Sequence, residues 1–497
     1  MRRDFVVLNA LKDNGRDFSC FRRPITYQIA KNEQECPKKP DKKFVLAGGC
    51  QSLPVLCYLH TKHMVQLLLN MEYAFFLGSN PALSAAEIHD YFKRTGIAAD
   101  FDLKYAPKLL LVKTANELKS QAIIDNLGGT PMIARIIGAM SEFSAEAIID
   151  ELALEEQFIP NKKPVFSLSF DALASSLPDS KTARDVRAVG ITIKKNINKK
   201  GCRAVLPQTG TALTTAQLFN AGVPEDAVGI HVLRVEKNLF LAMSVVAVQD
   251  ITFYTRRDRE RPEADPGSGM LPVKLAQMFI NFSCVAPGTK IYDPFCGVGT
   301  IAAEAILQGF DVVASDISPR QVVRTKTNTD WLKNTFPNLI DPRKTVQLFE
   351  QDIEKPLQNI EVDSLNAIVS EGWLGPGIHH VPSSFEMENI FVKTQRLLNA
   401  LLNNAERFLK KDASVVIAIP AFRVEKRIFR APFLQENLRK FLPKSFVVES
   451  LVPENWSDAI FRDASQGMML YGRPDAIVLR DIIRFKKIDK DKKSEYR

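Results

Sequence analysis

No stretch of this 497-residue chain is free of polar residues for the length of a membrane span; the nearest approach, LLLNMEYAFFLG, is broken by Asn70 and Glu72. A spanning helix needs about 18 or more apolar residues in a row, so none is expected. Cysteine is sparse, seven in all with four before residue 60, which is no disulfide framework for a chain of this length and points to reduced thiols. Cys50, Cys57, His60 and His63 lie close together, but C-x6-C-x2-H-x2-H is not a zinc spacing and no metal is expected. The start, MRRDFVVLNALKDNGRDF, lacks a long apolar core and a small-residue cleavage site, which speaks against a secretory leader. A cytoplasmic protein is the expectation.

The positive charge is also missing from the middle of the chain. Residues 1–63 carry 12 Lys and Arg against 6 Asp and Glu, and residues 484–497 carry 7 against 3, which accounts for the whole net charge of +9 and leaves the body near neutral. Bulk charge therefore says nothing about nucleic acid, and only local clusters can.

Elements can be read from periodicity and caps. Residues 1–63 show no sustained pattern, and KNEQECPKKPDKK reads as solvated loop, so this stretch is taken as a poorly structured extension. Residues 64–160 read as strand EYAFFLG, helix LSAAEIHDYFKRTG with a Ser84/Glu87 capping box, strand KLLLVK, helix ELKSQAIIDNLGG and strand MIARIIGAM, a small α+β sandwich of ferredoxin-like type. A second α/β unit occupies 161–252. Its helix, from about Lys181 to Lys200, has an apolar stripe of Val186, Val189, Ile193 and Ile197. The opposite side carries Lys181, Arg184, Arg187, Lys194, Lys195, Lys199 and Lys200, continued by Arg203, and is either a solvated face or a track for RNA phosphates.

The segment 253–270, containing TRRDRERPEADPGSG, reads as an interdomain hinge. From 271 to 485 strands and helices alternate, which calls for a mostly parallel, doubly wound sheet, and 486–497 form a basic tail. VQLFEQD, LNAIVSE and VVIAI are its later strands, with SFVVES and GMMLYG as closing additions. A long helix between them carries Phe391, Thr394, Leu398, Leu401, Ala405 and Phe408 on one face.

The chemistry concentrates in DPFCGVGT, Asp293 to Thr300, where a buried strand turns into the helix TIAAEAILQGF through Gly297 and Gly299. Glycines there allow backbone to approach a ligand. The next strand, DVVAS, delivers Asp316, a carboxylate able to accept both hydroxyls of a ribose. Gly297 to Ala302 also satisfies G-x-G-x-x-A, so an NAD or FAD site competes. Asp293 just upstream opposes a pyrophosphate and suits a cationic sulfonium with its amino group, which favours S-adenosylmethionine. In such sheets ligands bind beyond the carboxyl ends of the strands, where Asp352 is placed to accept an adenine amino group. Glu371, in the unusual loop SEGWLGP, is an acceptor for the N–H of a base amine, with Trp373 as its stacking surface. The competing roles are a surface-loop Asp, a strand-closing Glu and a packed Trp.

These residues resemble a known family. From about Met71 to Phe485 the chain is similar to the THUMP-containing tRNA guanosine-N2 methyltransferases of archaeal and eukaryotic type, which act on guanosine ten. MEYAFFLGSNPALSAAEI resembles their ferredoxin-like domain, Pro164 to Asp250 their THUMP module, and DPFCGVGTIAAEA their most specific motif. The resemblance implies a Rossmann-like class I methyltransferase domain preceded by ferredoxin-like and THUMP domains, with Asp293, Gly297, Gly299 and Thr300 at the methionine end, Asp316 at the ribose and Asp352 at the adenine. It implies tRNA as the partner and leaves open a small activator subunit. One departure stands out: the family's D-P-P-Y loop is here Glu371, Gly372, Trp373, Leu374. That keeps an acceptor but moves the aromatic and removes both prolines, so another base, another RNA or a non-catalytic RNA-binding relic remain alternatives, as does an oxidoreductase.

Overall fold

The computed structural model describes residues 71–489 apart from 160–161, 174–179, 198–200, 265–269, 379, 437–441, 458, 463 and 465–466. The expected extension 1–63, the Cys50–His63 cluster, Lys199, Lys200 and most of the basic tail lie outside the described residues. No described helix is long and apolar enough to cross a membrane.

The first half holds β1 (Met71–Phe76), α1 (Pro81–Thr95), β2 (Asp100–Asp102), β3 (Leu109–Thr114), α2 (Ser120–Ile124), β4 (Met132–Met140) and α3 (Ala145–Glu151). It continues with β5 (Val165–Ala172), α4 (Ser180–Asn196), β6 (Arg203–Val205), α5 (Thr215–Asn220), β7 (Val228–Glu236), β8 (Leu239–Val248) and α6 (Ile251–Arg259). All eight strands form one sheet in the order β2-β3-β1-β4-β8-β7-β5-β6. The strands of residues 64–160 and those of 161–252 thus join in a single sheet. β4 pairs antiparallel with β8 from Met132↔Val248 to Met140↔Phe240 and joins them. The edge left open by either half alone is covered by the other, which removes an exposed row of backbone donors and acceptors.

Several local expectations change for physical reasons. Asn80, not Ser84, caps α1, accepting from Leu83 N at 3.4 Å with Pro81 at the first position. Ser84 and Glu87 lie one turn further in and are buried. Glu87 instead accepts from the backbone of Gly128 (2.7 Å) and Gly129 (2.8 Å) and from Asn281 Nδ2 (2.8 Å). That use of the two glycines is one reason α2 stops far short of them. A Cβ on Gly128 would sit 1.9 Å from Lys274 O, so this backbone packs directly on the following domain. The expected hinge is in part α6, capped by Asp250. Two of the segment's arginines are buried, Arg257 and Arg261, and Arg257, 3% exposed, pairs with buried Glu304.

The second half holds α7 (Val273–Phe282), β9 (Lys290–Asp293), α8 (Thr300–Leu307), β10 (Asp311–Asp316), α9 (Pro319–Thr335), β11 (Val346–Glu350) and β12 (Leu365–Glu371). After these come α10 (Ser384–Phe408), β13 (Leu409–Val424), β14 (Arg427–Phe429), α11 (Pro432–Glu436), β15 (Phe446–Glu449), β16 (Met469–Tyr471) and β17 (Val478–Lys487). The sheet order is β11-β10-β9-β12-β13-β17-β15, with β14 against β13 and β16 against β17. β9 to β13 run parallel and β17 inserts antiparallel between β13 and β15. The chain leaves β9 in one direction and returns on its other side as β12, which makes the gap between their carboxyl ends the topological switch point where ligands bind.

β17 escapes a reading by hydrophobic pattern because charges interrupt it. Arg480, Asp481 and Arg484 are each paired, with Glu371, Arg430 and Asp90 respectively. The α10 stripe is as expected, with Phe391, Thr394, Leu398, Leu401, Ala405 and Phe408 all buried. One apolar cluster runs from Phe75 and Phe92 through Phe279 and Phe282 to Ile301, so the two sheets share a core through α1, α7 and α8. Each such aromatic stabilises by about 1.5–3 kcal/mol relative to exposure, enough to fix where the second sheet stands.

Candidate active site

Each functional side chain sits where a parallel strand ends. β9 ends in Asp293, and the following turn is drawn tight by Gly299 N donating to Cys296 O at 2.7 Å and Cys296 N donating to Ser315 O at 3.0 Å. Gly297 (φ 52°) and Gly299 (φ 83°) both occupy the left-handed region. Their reasons differ. A Cβ on Gly299 would meet Thr325 of α9 at 2.7 Å, whereas nothing lies within 4 Å of one built on Gly297. Gly299 thus serves packing, and Gly297 faces open space at the head of α8.

Asp316, at the end of β10, clasps this turn from the side. One oxygen accepts from Gly297 N at 3.0 Å and the other from Ser318 N at 2.9 Å. Burial raises its pKa and these two donors lower it. Asp293 is 2% exposed. It accepts from Ser370 Oγ at 2.5 Å and Phe295 N at 3.3 Å. Burial pushes its carboxyl up to about 7 against those bonds, and Asp316 and Glu371 push the same way. A buried carboxylate in this company is stabilised by a cation, which is what an adenosyl sulfonium with its amino group brings. The residues therefore fit the group: an open glycine turn, a carboxylate on the adjacent strand end bonded to that turn, and a buried acid that a cation would stabilise.

Two expected cofactor residues are less simply placed. Asp352 follows β11 and accepts from Glu354 N at 3.0 Å, while Gln351 N donates to Asp316 O at 2.9 Å. Only its neighbour Gln351 is thus tied to Asp316. Thr300 begins α8, but its hydroxyl accepts from Arg261 Nη1 at 2.8 Å, which commits it to the junction with α6.

On the other side of the switch point β12 ends in Ser370 and Glu371. Ser370 reaches Asp293, so one hydroxyl links the two strand ends. Glu371 accepts from Arg480 Nε on β17. Burial pushes the Glu371 carboxyl up and Arg480 draws it down. Gly372 is required by close approach, since a Cβ would lie 2.8 Å from Ala418 O. Trp373 is half-buried, packs toward α10, and carries Lys393 Nζ at 4.0 Å over its ring. Phe295, from the glycine turn, lines the same small cavity with Trp373 and Gly372.

The basic helix α4 buries Val186, Ile193 and Ile197 as its stripe demands. Arg184, Lys194 and Lys195 are exposed and so is Arg203 on β6. Arg187 differs: it is half-buried and donates to Gln208 O at 2.8 Å, bracing a loop. Sequence reasoning missed Arg480, Ser370's link to Asp293, and the Arg257 and Arg261 contacts with α8. The charge alternation of LRDIIRF was the available signal for the first.

Among known proteins, the family described as UPF0020: RMKL-like, methyltransferase domain matches residues 259–370. The match takes in Asp293, the glycine turn and Asp316, and stops one residue before Glu371. The matched stretch covers β9 to β12 of the second, Rossmann-like sheet short of Glu371. A tRNA (guanine(10)-N2)-dimethyltransferase of Methanothermobacter thermautotrophicus is 27% identical over 249 residues, 50% of this chain and 65% of that protein. A second protein of that description, from Methanocaldococcus jannaschii, is 29% identical over 161 residues, 32% of this chain and 43% of its own. The chain thus spans less than two thirds of the length of these relatives. Among solved structures, TrmN from Thermus thermophilus aligns over 84% of this chain and 100% of its own with a TM-score of 0.46 and 14% identity.

Proposed function

We propose that this protein is an S-adenosylmethionine-dependent RNA methyltransferase acting on the exocyclic N2 amine of a guanosine in tRNA. The observation that carries the reading is the join at the switch point: Ser370 ties the cofactor-side acid Asp293 to the strand end that bears Glu371. The acid that would face the cationic donor is thereby bonded to the residue next to the one that would accept the amine N–H. The relatives' description as tRNA guanine-N2 enzymes supports the substrate, and the exposed Arg184, Lys194, Lys195 and Arg203 supply charge for phosphates. The first sheet serves as the ferredoxin-like and THUMP-like RNA-holding part.

S-adenosylmethionine, when bound, supplies a methyl already activated by the sulfonium. Asp293 balances its charge, Asp316 binds the ribose and keeps the Gly297 turn in shape, and Asp352 borders the adenine. Orientation then accounts for most of the rate. The guanine edge offers two adjacent N–H groups, N1–H and N2–H, to an ionised carboxylate that can only accept. Adenine and cytosine place a ring-nitrogen acceptor beside their amine and are disfavoured by Glu371. With the methyl supplied by the bound cofactor, Glu371 would accept the surplus proton of the methylated amine and pass it to solvent. Lys393 covers one face of Trp373, so stacking on a base uses the opposite face. Asp293 also weighs against a dinucleotide, whose pyrophosphate it would repel.

The test is methyl-labelled cofactor with tRNA transcripts, followed by nucleoside mass spectrometry. Label in N2-methylguanosine or its dimethyl form is expected. Label in another nucleoside moves the substrate assignment, and tight NAD binding without S-adenosylhomocysteine binding replaces the reaction class.

A further inference from the structure

Glu371 has a partner that its own loop does not provide. Arg480 lies on β17 opposite Pro420 of β13, while Glu371 lies on β12 opposite Ala418 of the same strand. The guanidinium therefore reaches across the carboxyl end of β13 to donate from Nε to Glu371 Oε1. The pair is neither sealed nor solvated, with side chains 13% and 19% exposed. Both values lie between those of the buried Arg257–Glu304 pair and those of a surface ion pair such as Lys326–Asp330. Among the described residues Oε2 has no hydrogen-bond partner, so the bond to Arg480 fixes one oxygen and leaves the other unpaired.

We propose that Arg480 is a positioning residue for the transfer: from β17 it keeps the Glu371 carboxylate ionised and turned so that Oε2 meets the N–H groups of the target base. The inference rests on the function proposed above and deepens it, since an acceptor-only group is what selects the guanine edge. A neutral carboxyl would present an O–H and lose that selection. The surroundings favour neutralisation. Burial raises the Glu371 pKa and Arg480 opposes it, and Asp293 on β9 is the neighbouring acid. Among the described residues, Lys393 on α10 is held over Trp373, and Tyr471 on β16 lies on the Arg480 side with Arg473 near it. Removing an opposite charge at this range moves a carboxyl by roughly 1–3 pKa units.

The experiment is the pH profile of single-turnover methyl transfer to tRNA transcripts for wild type, Arg480→Gln and Arg480→Lys. Arg480→Gln is expected to carry its acidic limb upward by roughly 1–3 pH units, losing about tenfold or more near neutrality and recovering in alkali, with S-adenosylhomocysteine affinity unchanged. Arg480→Lys is expected to restore most of the limb. A folded Arg480→Gln protein with an unmoved limb, or with the same loss at every pH, overturns the inference and leaves the function standing. Absence of transfer by wild type to any transcript overturns the function and this inference with it. If Arg480→Gln does not fold, the wild-type Glu371 carboxyl ¹³C resonance, assigned by its loss in Glu371→Gln, decides: titration at or above neutrality contradicts an ion-paired carboxylate.

Discussion

Two Arg–Glu pairs occupy this protein, and their difference separates architecture from chemistry. Arg257 and Glu304 meet at the junction of α6 and α8, 2% and 1% exposed, through two bonds of 2.8 and 3.2 Å. Arg480 and Glu371 meet at the strand ends through one carboxylate oxygen and remain partly open. The first pair saturates both carboxylate oxygens, and Phe253 and Tyr254 flank the guanidinium at 3.9 and 4.6 Å. Neither carboxylate oxygen is left without a partner, and the unpaired Arg257 Nη1 is buried. The second leaves one carboxylate oxygen unpaired, near the buried acid Asp293. Equal residue types are put to unequal use because one pair is closed on itself and the other is not.

The largest expected effect that sharpens this contrast is on the closed pair. Arg257→Ala strands Glu304 without its partner and should cost about 3–5 kcal/mol of folding stability, read by chemical denaturation, while the acid limb of methyl transfer stays in place. A variant with native stability would put Arg257 among the marginal pairs. Next comes the cofactor turn. Asp316→Ala should weaken S-adenosylhomocysteine by about 2 kcal/mol, about thirtyfold in Kd, through lost ribose bonds and a looser Gly297 turn. Calorimetry showing unchanged affinity in folded protein removes Asp316 from the site. The smallest effect belongs to solvated charge. Neutralising Lys194 and Lys195 should flatten the salt dependence of tRNA binding by about one per lysine and spare cofactor binding. An equal salt slope makes α4 a solvated face.

What the sequence made legible was local. DPFCGVGT and Asp316 could be read because left-handed glycines and strand-end acids are specified within a few residues, and the α10 stripe because its period is short. The misreadings have the opposite character. Ser84 and Glu87 have capping-box spacing, but three residues is also nearly one helical turn, and only Gly128, Gly129 and Asn281 decide which use wins. TRRDRERP has the composition of a linker, yet Arg257 and Arg261 find partners on α8 some 40 residues on. Arg480 is the clearest case: 109 residues separate it from Glu371, and its strand hides behind charges that only pairing explains. Arg187 joins the expected basic track by sequence and leaves it by turning to Gln208.

The central claim is that the open carboxylate of Glu371 meets the target amine while the cofactor side stays intact. Its most direct test is single-turnover methyl transfer to tRNA transcripts by wild type and Glu371→Gln, alongside S-adenosylhomocysteine calorimetry on both. Glu371→Gln should bind the ligand as wild type does and transfer roughly tenfold to a thousandfold more slowly. Wild-type transfer rates in the folded variant would contradict the account.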